Sequence, residues 1–329
     1  MLTKLKNIKR KFYYFRNNWF SQYGILNRKI NSNLGKLRND LNVKQRISKT
    51  VLNKIKKNND PIILKIKSEL DKSGSSILDL SSIIDEKILF KFIEEKVNPF
   101  YEFNEQSWKN ALEKEVNRIK LDKIDRTYNG NIWWIDLYTP GDLNNPISEL
   151  SLNPKILNSV AQYMNAVPLL EYIRLIVNPP NFNKDLDIKG NRMFHIDTTF
   201  KNMVKIFINP FEMKKENGPT YFLPKSYTNL NQFRNFPEPI SDSELEEFSK
   251  GYQKDLMSTL GPPGKAYIID VAKSLHQGGR CIMPRTLLAI SYISPYHYMK
   301  KKKLINSDHM YYLNSHITEN KMVQKYFGL

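Results

Sequence analysis

Read for the alternation of apolar and polar positions, the chain falls into a helical first part and a strand-rich second part. Leu2, Leu5, Ile8, Phe12, Phe15 and Phe20 recur every three to five residues with lysines and arginines between them, the pattern of a basic amphipathic helix. From Asp60 to Lys123, Ile62, Ile66, Leu70, Ile77, Leu80, Ile83, Leu89, Phe92 and Ile93 keep a rough 3.6-residue period, so this stretch is expected to be mainly helical scaffold. The character changes at Asn131 to Tyr138, an aromatic, strand-like run closed by Pro140-Gly141. Trp133 and Trp134 within it are expected to pack in the core rather than to floor a pocket. A helix is expected over Pro154 to Tyr172 with Asn153 as its cap, and the sheet region is expected to begin at Ile173 to Val177.

After Arg192 strand signals dominate. Met203 to Ile208 reads as a strand, and Glu216-Asn217-Gly218-Pro219 as a turn whose Asn-Gly pair suits positive φ. Thr220 to Leu223 is the next strand, closed by Pro224-Lys225-Ser226. An insertion spans 227–260, with one helix announced by a capping box, Ser241 with Glu244 three residues on. Such an excursion suits a lid or substrate wall. Strands follow at Lys265 to Asp270 and Arg285 to Ser294. Many short strands after a helical lead predict a mainly β fold, a double-stranded β-helix (jelly roll, cupin-like) core with helices before it. The expected organisation is a basic N-terminal segment, helical or partly disordered, over 1–59, then one jelly-roll domain over 60–329.

Composition changes this picture in two places. The net charge of +18 over 329 residues suggests nucleic acid until its distribution is seen. Sixteen basic residues stand against one acid, Asp40, between Met1 and Lys57, so that segment carries +15 and the remainder is nearly neutral. Packing of its apolar stripe on the main domain is the plainest reading. Peripheral contact with an anionic membrane is the next, and nucleic acid is disfavoured. The single cysteine, Cys281, excludes an internal disulfide framework and a cysteine-rich zinc site and fits a reducing compartment. With no apolar run of about 20 residues and no signal-like N-terminus, the expectation is cytoplasmic.

The candidate chemistry centres on Phe194-His195-Ile196-Asp197. On a strand, residues i and i+2 project to one face, so His195 and Asp197 can bind one metal through a nitrogen and an oxygen. The best third ligand is His276, in Leu275-His276-Gln277-Gly278-Gly279-Arg280, near the end of a later strand. Two histidines and one carboxylate form the facial triad of non-haem Fe(II) oxygenases, which leaves the opposite face of the metal open. His297, His309 and His316 follow the last strand and read as surface or tail residues.

In order and character, these motifs resemble the phytanoyl-CoA dioxygenase family of Fe(II)- and 2-oxoglutarate-dependent oxygenases. The resemblance runs through Phe194 to Asp197, Val204 to Ile208, Glu216 to Pro219, Leu223 to Ser226, Ile269-Asp270 and Leu275 to Arg280, and covers roughly Ile173 to Ser294. The chain departs from the family at Lys225-Ser226-Tyr227, where members usually read Gly-Ser-His. The resemblance implies His195, Asp197 and His276 as iron ligands, with Fe(II), 2-oxoglutarate and O2 as cofactor and co-substrates. It also implies an arginine opening the strand after the distal histidine, to clamp the far carboxylate of 2-oxoglutarate. Arg285 fills that place, its planar fork suiting a carboxylate. Arg280 is the rival, or else meets an anionic group of the substrate. Lys205 either touches co-substrate or caps the barrel. The implied reaction is hydroxylation of an unactivated C–H bond in a small-molecule or lipid- or sugar-type substrate. Related halogenases keep a small residue where Asp197 stands, so chlorination is disfavoured. The alternatives are a cupin-like metal-binding protein that is not an oxygenase, and a basic membrane- or nucleic-acid-binding protein with an inactive barrel.

Overall fold

The computed structural model describes residues 49–101, 127–128, 131–132, 135–138, 144–178, 180, 188, 190–197, 202–229 and 239–294. The amphipathic pattern of residues 2–20, Trp133, Trp134 and the three C-terminal histidines lie outside the described residues.

The helical lead is built from local stop and start signals. Helix α1 spans Lys49–Lys57, and α2 spans Pro61–Ser73. Asp60 caps α2 by accepting from the backbone N–H groups of Ile62 and Ile63, and Pro61 takes the first turn, where no N–H is needed. Gly74, at φ 81°, ends the helix in the left-handed conformation. The stretch from Asp60, expected to be mainly helical, holds two helices up to Tyr101 but also a strand the helical period did not announce. The chain turns out of α2 into strand β1 (Ser75–Asp79) and a 3-10 turn (Leu80–Ser82) before α3 (Glu86–Tyr101). Ile77 and Leu80 fit a helical period, but β1 pairs antiparallel with Lys265–Asp270, a long-range partner that local spacing does not report.

Strands β2 (Thr127–Tyr128), β3 (Asn131–Ile132) and β4 (Ile135–Tyr138) follow, then α4 (Pro146–Ser151) and α5 (Pro154–Met164). Asn145 and Asn153 cap these helices, each followed by a proline. The helix expected to reach Tyr172 stops at Met164. Asn165 adopts the left-handed C-cap at φ 53°, and after Pro168 the chain enters β5 (Leu169–Asn178).

The remaining strands are β6 (Met203–Ile208), β7 (Tyr221–Phe222), β8 (Met257–Ser258), β9 (Lys265–Asp270), β10 (His276–Gln277) and β11 (Arg285–Ile293), with α6 (Asp242–Phe248) before β8. The capping box of Ser241 and Glu244 on α6 is present as expected. The insertion is more than an excursion, because β8 within it belongs to a sheet. A six-stranded antiparallel sheet runs β1-β9-β6-β11-β5-β4, and a three-stranded one runs β10-β7-β8.

Alternation along the long strands assigns the two faces of the large sheet. Ile173, Leu175 and Val177, with Val204, Ile206 and Ile208, with Ile268 and with Leu288, Ile290 and Tyr292, pack on one face with Ile66, Leu70, Leu89, Ile93, Ile156 and Val160 of the helices. The other face presents Phe207, Tyr267, Ile269, Leu287 and Ala289 to Phe222 and Met257 of the small sheet. Both faces are covered, so β11 is buried throughout despite lying in an antiparallel sheet. The layers are helices, large sheet and small sheet, a mainly β jelly-roll architecture. The site lies between the sheets. No helix among the described residues is long and apolar enough to cross a membrane.

Candidate metal centre

His195 and His276 face each other across a narrow antiparallel bridge. His195 N–H donates to the His276 carbonyl at 3.0 Å, and His276 N–H returns a bond to the His195 carbonyl at 2.9 Å. This pairing draws the two rings to a centroid separation of 4.3 Å. The segment is not the regular strand read from sequence. Residues 190–192 form a 3-10 turn, and only Phe194 and His195 make bridges. Asp197 reaches the same place because its N–H is fixed on the Val271 carbonyl at 2.8 Å.

The nitrogen atoms are sorted by their partners. His195 Nδ1 lies 2.9 Å from the Met193 carbonyl, and His276 Nδ1 lies 3.2 Å from the Ser274 carbonyl. A carbonyl only accepts, so each Nδ1 carries the hydrogen and each Nε2 offers a lone pair. His195 Nε2 is 3.9 Å from Asp197 Oδ1, and His276 Nε2 is 3.9 Å from Asp197 Oδ2. One ligand atom from each of the three residues lies within 4.8 Å of the others, the arrangement a single ion can gather.

Protonation suits the same purpose. Burial, reinforced by His195, pushes His276 down to about 3, and burial lowers His195 as well, so both imidazoles are neutral at pH 7. Burial alone raises Asp197, but Lys205 and the two histidines more than offset it and hold the carboxyl at about 2. The site therefore presents two lone pairs and one carboxylate without first losing a proton.

Lys205, on β6, contacts the triad itself. Its Nζ donates to Asp197 Oδ2 at 2.5 Å and lies 5.7 Å from the centre of the Tyr172 ring. Burial works against its charge, but Tyr172 and Asp197 hold the ammonium above its ordinary value. Lys205 thus fixes one oxygen of the Asp197 carboxylate, a contact neither of the two roles expected for it named.

A cavity of about 250 Å³ opens on the triad and extends to Arg285. Arg285 is the first residue of β11, opposite Asn178 of β5. Its Nε donates to Asn178 Oδ1 at 2.9 Å and its Nη1 to the Gly218 carbonyl at 2.8 Å. It is buried, and among the described residues no carboxylate lies within ion-pair distance of it. Beside it, a Cβ on Gly278 would stand 3.1 Å from Arg285 Nη1 and 3.2 Å from Thr220 Oγ1, so the bare glycine keeps the approach to the guanidinium open. Gln277 also lines the cavity at 4% exposure, and its Oε1 has no hydrogen-bond partner among the described residues.

Arg280 is placed elsewhere. Its guanidinium is bidentate on Asp242 of α6, at 2.7 and 2.8 Å, and its Nε donates to the Arg192 carbonyl. It ties the insertion to the segment leading into His195 and does not line the cavity. Sequence reasoning passed over Tyr172, Arg174 and Asn178, which line the cavity from one face of β5. The available signal was the arginine at 174 inside an otherwise apolar strand, a residue that rarely enters such a strand without a polar site to face.

No family model matches the chain, and no curated protein matches it. Several solved structures overlap it in outline. EctD from S. alaskensis with bound Fe is 16% identical over 72% of this chain and 78% of its own, with a TM-score of 0.45. The epimerase SnoN, in complex with Fe3+, alpha ketoglutarate and nogalamycin RO, is 13% identical over 71% and 85%, with a TM-score of 0.41. AviO1 from Streptomyces viridochromogenes Tue57 is 12% identical over 70% and 94%, with a TM-score of 0.38. Overlap at this level assigns neither activity nor substrate.

Proposed function

We propose that the protein is an Fe(II)- and 2-oxoglutarate-dependent dioxygenase that hydroxylates an unactivated C–H bond of a small molecule. The observation that carries this reading is the pairing of two features in one cavity. Neutral His195 and His276 with ionised Asp197 converge on one point, and the buried cation Arg285 faces the same space with no carboxylate among the described residues beside it. The donor set fits Fe(II), which accepts imidazole nitrogen together with carboxylate oxygen. The opening between Gly278, Thr220 and Arg285 fits a carboxylate end of a small dicarboxylate. The order of motifs, similar to that of phytanoyl-CoA dioxygenases, supports the same assignment.

Bound together, Fe(II) and 2-oxoglutarate supply an oxidative decarboxylation that consumes O2, yields succinate and carbon dioxide, and delivers one oxygen atom to the substrate. The chain's own residues set the conditions. His195 and His276 hold their Nε2 lone pairs inward because the carbonyls of Met193 and Ser274 take the Nδ1 hydrogens. Lys205 holds one oxygen of Asp197, so the other oxygen would be the one offered to the metal. Arg285, itself fixed by Asn178 and Gly218, would bind a carboxylate of the co-substrate at its end of the cavity. Ile176, Phe207, Leu287 and Ala289 line the wall with apolar surface and limit water around the reacting centre.

The test is succinate production from 2-oxoglutarate by the full chain in air. Slow turnover without added substrate that requires Fe(II), and that is abolished in His276→Ala and strongly reduced in Arg285→Ala, is expected. Metal binding with no consumption of 2-oxoglutarate under any condition contradicts the proposal.

A further inference from the structure

The ligands Asp197 and His276 are both held by backbone carbonyls of one short turn, and that turn is organised around a buried carboxylate outside the triad. Asp270, at the end of β9, is fully buried. Its Oδ1 accepts from the Ala272 N–H at 3.1 Å, and its Oδ2 accepts from Lys273 Nζ at 2.7 Å and from the Tyr163 hydroxyl on α5. Its own carbonyl accepts from the N–H groups of Lys273 and Ser274, at 3.0 and 2.8 Å. Its N–H donates to Gly74, at the end of α2. The result is a closed turn over residues 270–274 anchored on two helices. Two carbonyls leave this turn toward the cavity: that of Val271 accepts from Asp197 N–H, and that of Ser274 faces His276 Nδ1.

We propose that Asp270, clamped by Tyr163, is the positioning residue of the metal centre, setting the turn from which Val271 fixes the Asp197 backbone and Ser274 fixes the His276 ring. This rests on the triad being a metal site. Asp197 lies outside any strand ladder, and among the described residues it is placed by two tethers, its N–H on the Val271 carbonyl and its Oδ2 on Lys205, of which the first fixes its backbone. His276 needs its Nδ1 hydrogen held so that Nε2 points at the metal. A turn that relaxes when the bonds of Tyr163 and Lys273 to Asp270 are weakened would move both ligands at once, whereas the Tyr292 bond to Ser151 touches neither.

The experiment uses the full chain and cobalt(II) as the probe, comparing wild type with Asp270→Asn, Tyr163→Phe and Tyr292→Phe. Tyr292 is a matched control, because its buried hydroxyl donates to the Ser151 carbonyl on the helix side of the large sheet. Melting temperature reports stability in each. Titration followed by the visible d–d bands reports metal affinity and ligand geometry. Asp270→Asn is expected to weaken cobalt binding by roughly 10- to 100-fold, the usual cost of losing an outer support of a ligand, and to change the band envelope at saturation. Tyr163→Phe is expected to do the same to a smaller extent, and it decides the matter if Asp270→Asn does not fold. Tyr292→Phe is expected to lower the melting temperature with wild-type affinity and bands. Wild-type affinity and bands in both Asp270→Asn and Tyr163→Phe overturn the inference while leaving the metal site intact. A wild-type protein that takes up no cobalt overturns the metal site itself, and the inference with it.

Discussion

Replacing Lys205 with methionine removes the cation that holds Asp197 while keeping most of the volume of the side chain. Asp197, 22% exposed in wild type, then has only the two histidines to set against the cost of its burial. The carboxyl stands at about 2 rather than its ordinary 3.8, a difference equivalent to about 2 kcal/mol of stability. A depressed carboxyl stabilises the folded state above its unfolded value, and that contribution is lost as pH falls through the folded value. In wild type it is therefore complete above about pH 4 and disappears toward pH 2. Metal-free Lys205→Met is expected to be less stable than wild type by roughly 2 kcal/mol at pH 7, the deficit shrinking as acid neutralises the orphaned carboxylate. Adding Asp197→Asn to the variant should recover much of the loss, since the buried charge is then gone. Metal ions should stabilise Lys205→Met more than wild type, because the ion replaces the missing cation and no ammonium opposes it. Urea unfolding in chelator, across pH and then with cobalt(II), measures all three. Equal stability of Lys205→Met and wild type at pH 7, or no coupling with Asp197→Asn, refutes the view that Lys205 sustains the ligand carboxylate.

His276, pushed to about 3, gives the fold an acid lability at higher pH. Below about pH 6.5 the unfolded chain takes up the proton first, so stability present above that value drains away down to about pH 3, by on the order of 5 kcal/mol. His276→Gln should flatten that part of a urea-midpoint profile against pH, and an unchanged slope would contradict the buried neutral histidine. Gly278→Ala puts a methyl group between Arg285 and Thr220 at a backbone angle alanine tolerates; calorimetry should show 2-oxoglutarate binding weakened by about tenfold or more with little change in melting temperature. Arg280→Ala loses a part-exposed ion pair worth about 0.2–1 kcal/mol and should keep wild-type affinity for 2-oxoglutarate, whereas Arg285→Ala should not. Equal losses in the two arginine variants would reverse the placement of the co-substrate.

The triad was legible because its residue types are scarce. Five histidines in 329 residues leave few combinations, and a His-x-Asp spacing survives as a shared face even where the strand reduces to a bridge. Arg285 was reached through the family resemblance, which calls for an arginine opening the strand after the distal histidine, and the apolar run that follows it marked that strand. The cavity wall from β5 was not legible, since the apolar spacing of α5 runs on past Asn165 and assigned Tyr172 to a helix. A single left-handed residue and Pro168 ended that helix. Strand β1 was hidden for a different reason: its five residues pair with β9, nearly 200 positions away, and local periodicity cannot report a partner. Asp270 reads in sequence as an ordinary turn residue after a strand. Its meaning lies in Tyr163, on a helix 107 positions earlier.

The most direct measurement is an anaerobic titration of the purified chain with Fe(II) and then 2-oxoglutarate, following the weak visible charge-transfer band that chelation of the metal by the co-substrate produces. A saturable band is expected in wild type, absent in His276→Ala and reached only at much higher 2-oxoglutarate in Arg285→Ala. Iron bound by His195, Asp197 and His276 with no band at any concentration of 2-oxoglutarate would contradict the proposed chemistry and leave a metal site of another kind.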